Sequence, residues 1–171
     1  MDEKLKVLVI DDDESIRTTV TAILEDEGYK VDVAENGKEA IEKSNADVYS
    51  VALIDFRLPD MEGTELLTTL RETIPKTVKI MVTGYPTLQN AIDCVNKNAD
   101  AYFTKPVNYE NLLSTIKRLI QKQQERERYH ELIEAKNKEI RNNEIEQERL
   151  QKSMRITPDA CIERRLRSSR T

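Results

Sequence analysis

Between residues 5 and 120 the apolar positions switch repeatedly between two spacings. Leu5-Lys6-Val7-Leu8-Val9-Ile10 is a nearly unbroken apolar run, as a strand covered on both faces requires. Ile16, Val20, Ile23 and Leu24 then fall on one helical face, and Gly28 follows where a left-handed helix cap is needed. Tyr29 to Ala34 reads as a second strand. Asn36-Gly37 is a turn signal before a short helix carrying Ala40 and Ile41. Val51-Ala52-Leu53-Ile54 is a third, buried strand, and Leu66, Leu67 and Leu70 mark a helix that stops before Pro75. Val78 to Val82 is a fourth strand, followed by a helical stripe of Leu88, Ala91, Ile92 and Val95. Ala101 to Thr104 is a fifth strand, and Leu112, Leu113, Ile116, Leu119 and Ile120 open a fifth helix. Five strand–helix repeats with short loops predict an α/β fold: a five-stranded parallel sheet, doubly wound, with helices on both faces. Ligands in such sheets sit outside the carboxyl ends of the strands.

From about residue 109 to about 153 there is neither proline nor glycine, and Glu, Lys, Arg, Gln, Leu and Ile dominate. All are good helix formers. One helix of ~45 residues would reach roughly 65 Å, so its far half needs a partner other than the front domain. Leu119, Ile133, Ile140 and Met154 share one heptad column, interrupted by Arg126 and Gln147. The companion column through Ile116, Gln123, His130, Asn137, Glu144 and Gln151 is mostly polar, which makes a weak coiled-coil seam. Pro158 ends any helix. The expected organisation is a domain over residues 1–121, an extended helix over 122–154 and a disordered tail over 155–171.

Charge sharpens this division. Residues 1–116 hold 12 Lys+Arg and 22 Asp+Glu, a net −10, whereas residues 117–171 hold 15 and 10, a net +5. An acidic front domain repels phosphate backbones, so direct nucleic-acid binding is not expected there. No apolar run is long enough to span a membrane, and Met1-Asp2-Glu3-Lys4 lacks a signal-peptide pattern. The expected compartment is the cytoplasm. Cys94 and Cys161 are far apart with no metal-ligand spacing, and His130 is the only histidine. A disulfide framework, a zinc site and a serine–histidine hydrolase are thereby disfavoured.

The candidate chemistry lies at strand ends. The first strand runs into Asp11-Asp12-Asp13 and the third into Asp55. Two carboxylates ~5 Å apart repel by roughly 3 kcal/mol at an effective dielectric of 20. A cluster of such acids calls for a cation, and hard oxygen ligands with room for water suit Mg²⁺. The fourth strand ends in Thr83-Gly84 and the fifth in Lys105-Pro106. They bring a hydroxyl and an ammonium to the same edge. An aspartate surrounded by a divalent ion, a lysine and a hydroxyl suits phosphoryl transfer, with the carboxylate attacking in line.

Five motifs occur in order. They are Val7-Leu8-Val9-Ile10-Asp11-Asp12-Asp13-Glu14-Ser15-Ile16-Arg17, Asn36-Gly37-Lys38-Glu39-Ala40, Asp55-Phe56-Arg57-Leu58-Pro59-Asp60-Met61-Glu62-Gly63, Thr83-Gly84, and Tyr102-Phe103-Thr104-Lys105-Pro106. In these the sequence resembles the receiver domain of two-component response regulators over about residues 4–120. The resemblance implies that Asp55 is the phosphoacceptor, taking its phosphoryl group from a phosphohistidine on a sensor histidine kinase or phosphotransfer protein. It implies Mg²⁺ bound by Asp12, Asp55 and the backbone carbonyl of Arg57, with Asp11 acting through a metal-bound water. Lys105 and Thr83 would contact the phosphoryl group, Tyr102 would be a switch aromatic, and the Lys105–Pro106 bond would be cis. Autodephosphorylation would be the only hydrolytic activity. Output would pass through the fourth helix, fifth strand and fifth helix to a partner or a homodimer.

Other readings of the same residues are bland or rival. Asp13 reads as a helix cap, and Arg57 and Tyr85 as rim residues that either tune dephosphorylation or are simply solvated. His130-Glu131-Leu132 opens like a kinase phosphoacceptor motif, but Ile133-Glu134-Ala135 does not continue it. Arg164-Arg165-Leu166-Arg167 reads as a solvated tail. The rival functions are a transcription regulator whose DNA-binding domain is absent from this chain, a structural adaptor that never takes phosphate, and a dehalogenase-type phosphatase using Asp11-x-Asp13.

Overall fold

Alternation along each strand sends neighbouring side chains into different layers, and two cores result. In the computed structural model, which describes residues 5–155, β1 (Lys6–Ile10), β2 (Lys30–Ala34), β3 (Val51–Asp55), β4 (Val78–Thr83) and β5 (Ala101–Thr104) form one sheet in the order β2-β1-β3-β4-β5. All four pairings are parallel. Leu8, Ile10, Ala52, Ile54 and Met81 face one side. There they meet Ala40 of α2 (Gly37–Ala46), Leu66, Leu67 and Leu70 of α3 (Gly63–Thr73) and Cys94 of α4 (Leu88–Asn96). Val7, Val9, Val51, Leu53 and Ile80 face the other side. They pack on Val20 and Leu24 of α1 (Glu14–Asp26) and on Leu112, Ile116, Leu119 and Ile120 of α5 (Tyr109–Arg155). The apolar runs of β1 and β3, and that of β4 apart from the buried Lys79, follow, since both faces of these strands are covered.

Local chemistry sets the helix ends. Asp13 caps α1, accepting from the Ser15 and Ile16 backbone N–H groups at 2.8 and 3.3 Å. Asn36 caps α2 through Glu39 N–H at 2.8 Å, and Thr87 caps α4 through Asn90 N–H at 3.1 Å. Gly28 closes α1 with φ +90°, a conformation costly for any residue with a Cβ.

The helical stripe of Leu88, Ala91, Ile92 and Val95 is not the buried face of α4. Leu88 and Val95 are 79% and 71% exposed, and Cys94 is the buried residue of that helix. A nine-residue helix offers few contacts, and Cys94, small enough to pack closely, faces the sheet instead of the branched side chains.

The chain divides into two units, Met1–Gln124 and Glu125–Thr171. The second unit is helical through Arg155, and every residue from Arg128 to Arg155 is exposed. His130 is among them, 3.3 Å from Glu134 along the helix. Among the described residues no helix is long and apolar enough to cross a membrane. Of the tail expected over 155–171, Arg155 closes α5 and is helical, whereas residues 156–171, with Cys161, Arg164, Arg165 and Arg167, lie outside the described residues.

Candidate functional site at the carboxyl edge of the sheet

Strand register carries the acids together. Ile10 pairs with Ile54, so Asp11, just past the end of β1, comes beside Asp55 at the end of β3. Asp55 pairs with Val82 and Thr83 with Thr104, so Thr83 and Lys105 follow one residue further along the same edge. β1 and β3 are neighbours, and the chain leaves β1 through α1 on one face and β3 through α3 on the other, so a crevice opens beyond their carboxyl ends. All the strand-end residues singled out by sequence sit at that crevice. Asp11, Asp12, Asp55, Arg57, Thr83, Tyr85 and Lys105 line one cavity of about 420 Å³.

Asp11, Asp12 and Asp55 each offer a carboxylate oxygen within 4.8 Å of the others. Asp11 and Asp55 are buried, whereas Asp12 is exposed. Lys105 Nζ donates to Asp11 Oδ2 at 2.7 Å and lies 3.1 Å from Asp55 Oδ1. One ammonium is therefore shared by two buried anions with a third acid beside them. Burial and the neighbouring Asp11 charge raise the Asp55 pKa above the usual carboxylate range, with Lys105 opposing only in part. Burial pulls the Lys105 pKa down, but its bonds to Asp11 and Asp55 outweigh this and raise it. Excess negative charge contributes to both shifts, adding to burial at Asp55 and overcoming it at Lys105. A divalent cation with oxygen preference suits this surplus, and the clustered carboxylates supply donors of the right chemistry.

Several contacts hold the acids in place. Asp13 N–H donates to Asp11 Oδ1 at 2.9 Å, and Arg17 Nη1 donates to the Asp11 carbonyl at 2.7 Å. Thr83 is fully buried, and its hydroxyl oxygen accepts Tyr85 N–H at 3.1 Å, which leaves the hydroxyl proton to donate elsewhere. Lys105 N–H donates to the Thr83 carbonyl at 2.7 Å, and the Lys105–Pro106 bond is cis. At the rim the Arg57 guanidinium stacks 4.3 Å from the Tyr85 ring centroid. Behind Lys105 an apolar cavity of about 490 Å³ continues past Ile16, Val20, Leu53 and Leu112. Tyr102 packs against the core on the α4 side with its hydroxyl buried and without a hydrogen-bond partner.

Two supporting residues have roles that sequence spacing did not reveal. Asp60 reaches across 23 positions to accept Gly37 N–H at 2.8 Å, and Lys38 N–H at 2.9 Å. Partial desolvation works against its charge, but these backbone bonds outweigh that and lower its pKa. Gly63 opens α3 directly against the end of β3. A Cβ there would overlap the Asp55 carbonyl oxygen and come to 3.0 Å from Phe56 Cα. The offset of Gly63 from Asp55 is visible in sequence; the backbone approach that requires glycine is not.

Residues 7–117 match the response regulator receiver domain family. The chain belongs to the response regulator receivers. It is 32% identical over 114 residues to the transcriptional regulatory protein ZraR of Klebsiella oxytoca, a match covering 67% of this chain and 26% of that protein. The chain matches a quarter to a half of the length of its curated relatives. A CheY-like receiver domain from Methanospirillum hungatei JF-1 superimposes with TM-score 0.71 at 42% identity, covering 72% of this chain and 99% of that one. A Burkholderia pseudomallei response regulator, solved with a phosphorylated aspartic acid and a calcium ion, superimposes with TM-score 0.64 at 31% identity, covering 72% and 73%. The receiver fold, its parallel sheet and the long terminal helix thus agree with the sequence expectations.

Proposed function

We propose that this receiver is a phosphorylation-driven switch in which Asp55 accepts a phosphoryl group from a sensor histidine kinase or phosphotransfer protein in the cytoplasm. The carrying observation is the shared ammonium: Lys105 lies between Asp11 and Asp55, with Asp12 within 4.8 Å of both and Thr83 on the same edge. Asp55 is the nucleophile. Its carboxylate oxygen attacks phosphorus while the donor histidine nitrogen departs with the bonding pair. Lys105 holds the attacking carboxylate and then a phosphoryl oxygen. Thr83, with its hydroxyl proton uncommitted, donates to another. Asp12, Asp55 and the Arg57 carbonyl would hold Mg²⁺, with Asp11 supporting the site from beside them. When bound, the ion neutralises charge on the transferring oxygens. The same arrangement supports slow autodephosphorylation by water.

The resulting aspartyl phosphate biases a two-state equilibrium. Thr83 moves toward the phosphate, Tyr102 turns, and the surface of α4, β5 and α5 changes for a partner or a second copy. The chain has no part in direct DNA or membrane binding.

A phosphatase using Asp11-x-Asp13 is disfavoured on geometry. Asp13 is committed to the α1 cap, and Asp11 is tied to Lys105 and Asp13 N–H. Radiolabelled acetyl phosphate with Mg²⁺ should label the wild type with a hydroxylamine-labile acyl phosphate, and Asp55→Ala should take up none. Persistent labelling of Asp55→Ala would overturn the assignment. Absence of label in a folded, Mg²⁺-binding wild type would favour the adaptor reading.

A further inference from the structure

Over Arg128–Arg155 the terminal helix is exposed on all sides, yet it carries large apolar residues in a repeating pattern. In heptad terms Ile133, Ile140 and Met154 fall in one column. Three residues further on, Tyr129 and Leu150 fall in the column that completes a seam. Ile133 and Leu150 are 59% and 57% exposed. The polar positions of the same seam are Arg126, Lys136, Asn143 and Gln147. Ile145 lies off it.

We infer that this helix pairs with a second copy of itself, antiparallel, around a dyad between Arg141 and Asn142. The polar positions decide the orientation. A parallel pair would stack Lys136 on Lys136 and Arg126 on Arg126, and like charges facing each other are destabilising. The antiparallel register sets Ile133 against Leu150 of the second copy and Tyr129 against its Met154. Lys136 then meets Gln147, and Ile140 meets Asn143. Apolar layers occupy both ends of the pair, and no like charges share a seam layer. The contact is isologous, as a closed two-fold dimer requires. One like-charged flank remains, Glu139 beside Glu146 of the second copy. Lys136 Nζ, 2.9 Å from Glu139 Oε2, lies against that flank.

This deepens the output half of the proposed function, because it identifies a second copy as the partner of α5. It rests on α5 being an association surface and is independent of phosphoryl transfer at Asp55. The test uses the full chain carrying Cys161→Ser, with Cys94 left in place because it is buried. Ile133→Cys and Leu150→Cys proteins are oxidised singly and as a mixture. The mixture should give a disulfide-linked heterodimer, and neither protein alone should link. Linkage of Ile133→Cys with itself would overturn the orientation. A monomer in sedimentation at about 100 μM, a concentration that populates any dimer tighter than that value, would overturn the pairing. Ile133→Asp combined with Leu150→Asp should weaken association by at least roughly tenfold, as loss of buried apolar contacts predicts, while Mg²⁺ binding shows that the receiver remains folded. Asp55→Ala in the same background should leave the mixed disulfide unchanged, so loss of labelling and loss of pairing are separable results.

Discussion

Gly63→Ala tests how the fold positions the phosphoacceptor. The first turn of α3 presses on the last peptide of β3, and an added Cβ would overlap the Asp55 carbonyl oxygen while lying 3.0 Å from the Asp55 carbonyl carbon and Phe56 Cα. Every obstructing atom is backbone, so no side-chain rotation relieves the clash. Either α3 retreats or the end of β3 bends. Gly63 N–H also donates to the Phe56 carbonyl at 2.8 Å, and a shift would strain that bond. Overpacking of a close-packed site costs about 1–3 kcal/mol, and a backbone obstruction belongs at the upper end. For a domain of this size about 3 kcal/mol corresponds to a fall in melting temperature of roughly 10 °C. Circular dichroism melts with and without Mg²⁺ measure both consequences, since displacement of Asp55 should also weaken the metal's stabilising effect. Gly28→Ala is the control. Nothing lies within 4 Å of its added Cβ, and only the positive φ is penalised, so about 1 kcal/mol is expected. A Gly63→Ala protein melting within about 2 °C of wild type, with undiminished metal protection, would refute the proposed backbone contact.

Three further outcomes are expected. Mg²⁺ at about 100 times its dissociation constant should stabilise the wild type by about 2.7 kcal/mol. Asp55→Asn should lose most of that gain in calorimetry, and an equal gain would remove Asp55 from the metal site. Asp60→Ala should cost about 1 kcal/mol through loss of the two bonds that clamp the start of α2. Because the Asp60 pKa is lowered in the fold, its contribution is present above the ordinary carboxylate range and fades as pH falls through the folded value. The difference in urea midpoints between wild type and variant should therefore shrink toward acid, and a difference that grows would contradict the sign. Arg57→Ala removes the stack on Tyr85 at the rim, a contact worth about 1 kcal/mol. It should shorten the aspartyl-phosphate lifetime roughly fivefold by opening the site to water, and an unchanged lifetime would reduce Arg57 to a solvated side chain.

The strands and the acidic edge were legible because each is written in contiguous residues. Val7 to Ile10 and Val51 to Ile54 announce strands covered on both faces, and Asp11, Asp55, Thr83 and Lys105 each directly follow or close such a run. A parallel sheet then brings them to one edge. Asp60 was not legible in this way: its partners Gly37 and Lys38 lie on another loop, and nothing near Asp60 in the chain announces them. The α4 stripe misled because periodicity locates an apolar face but not the direction it points. Leu88, Ile92 and Val95 share a face with no sheet beneath it, while Cys94 carries the burial.

The shallow seating of α4 bears on amide exchange. Apart from its N-terminal cap, that helix is anchored to the sheet mainly through one sulfur-bearing side chain, whereas α3 inserts three leucines. Local opening free energy scales with the buried apolar contact that must be broken. The amide hydrogens of α4 should therefore be replaced by deuterium well before those of α3, which makes α4 the cheapest helix of the receiver body to reorient when the chemistry one loop away changes.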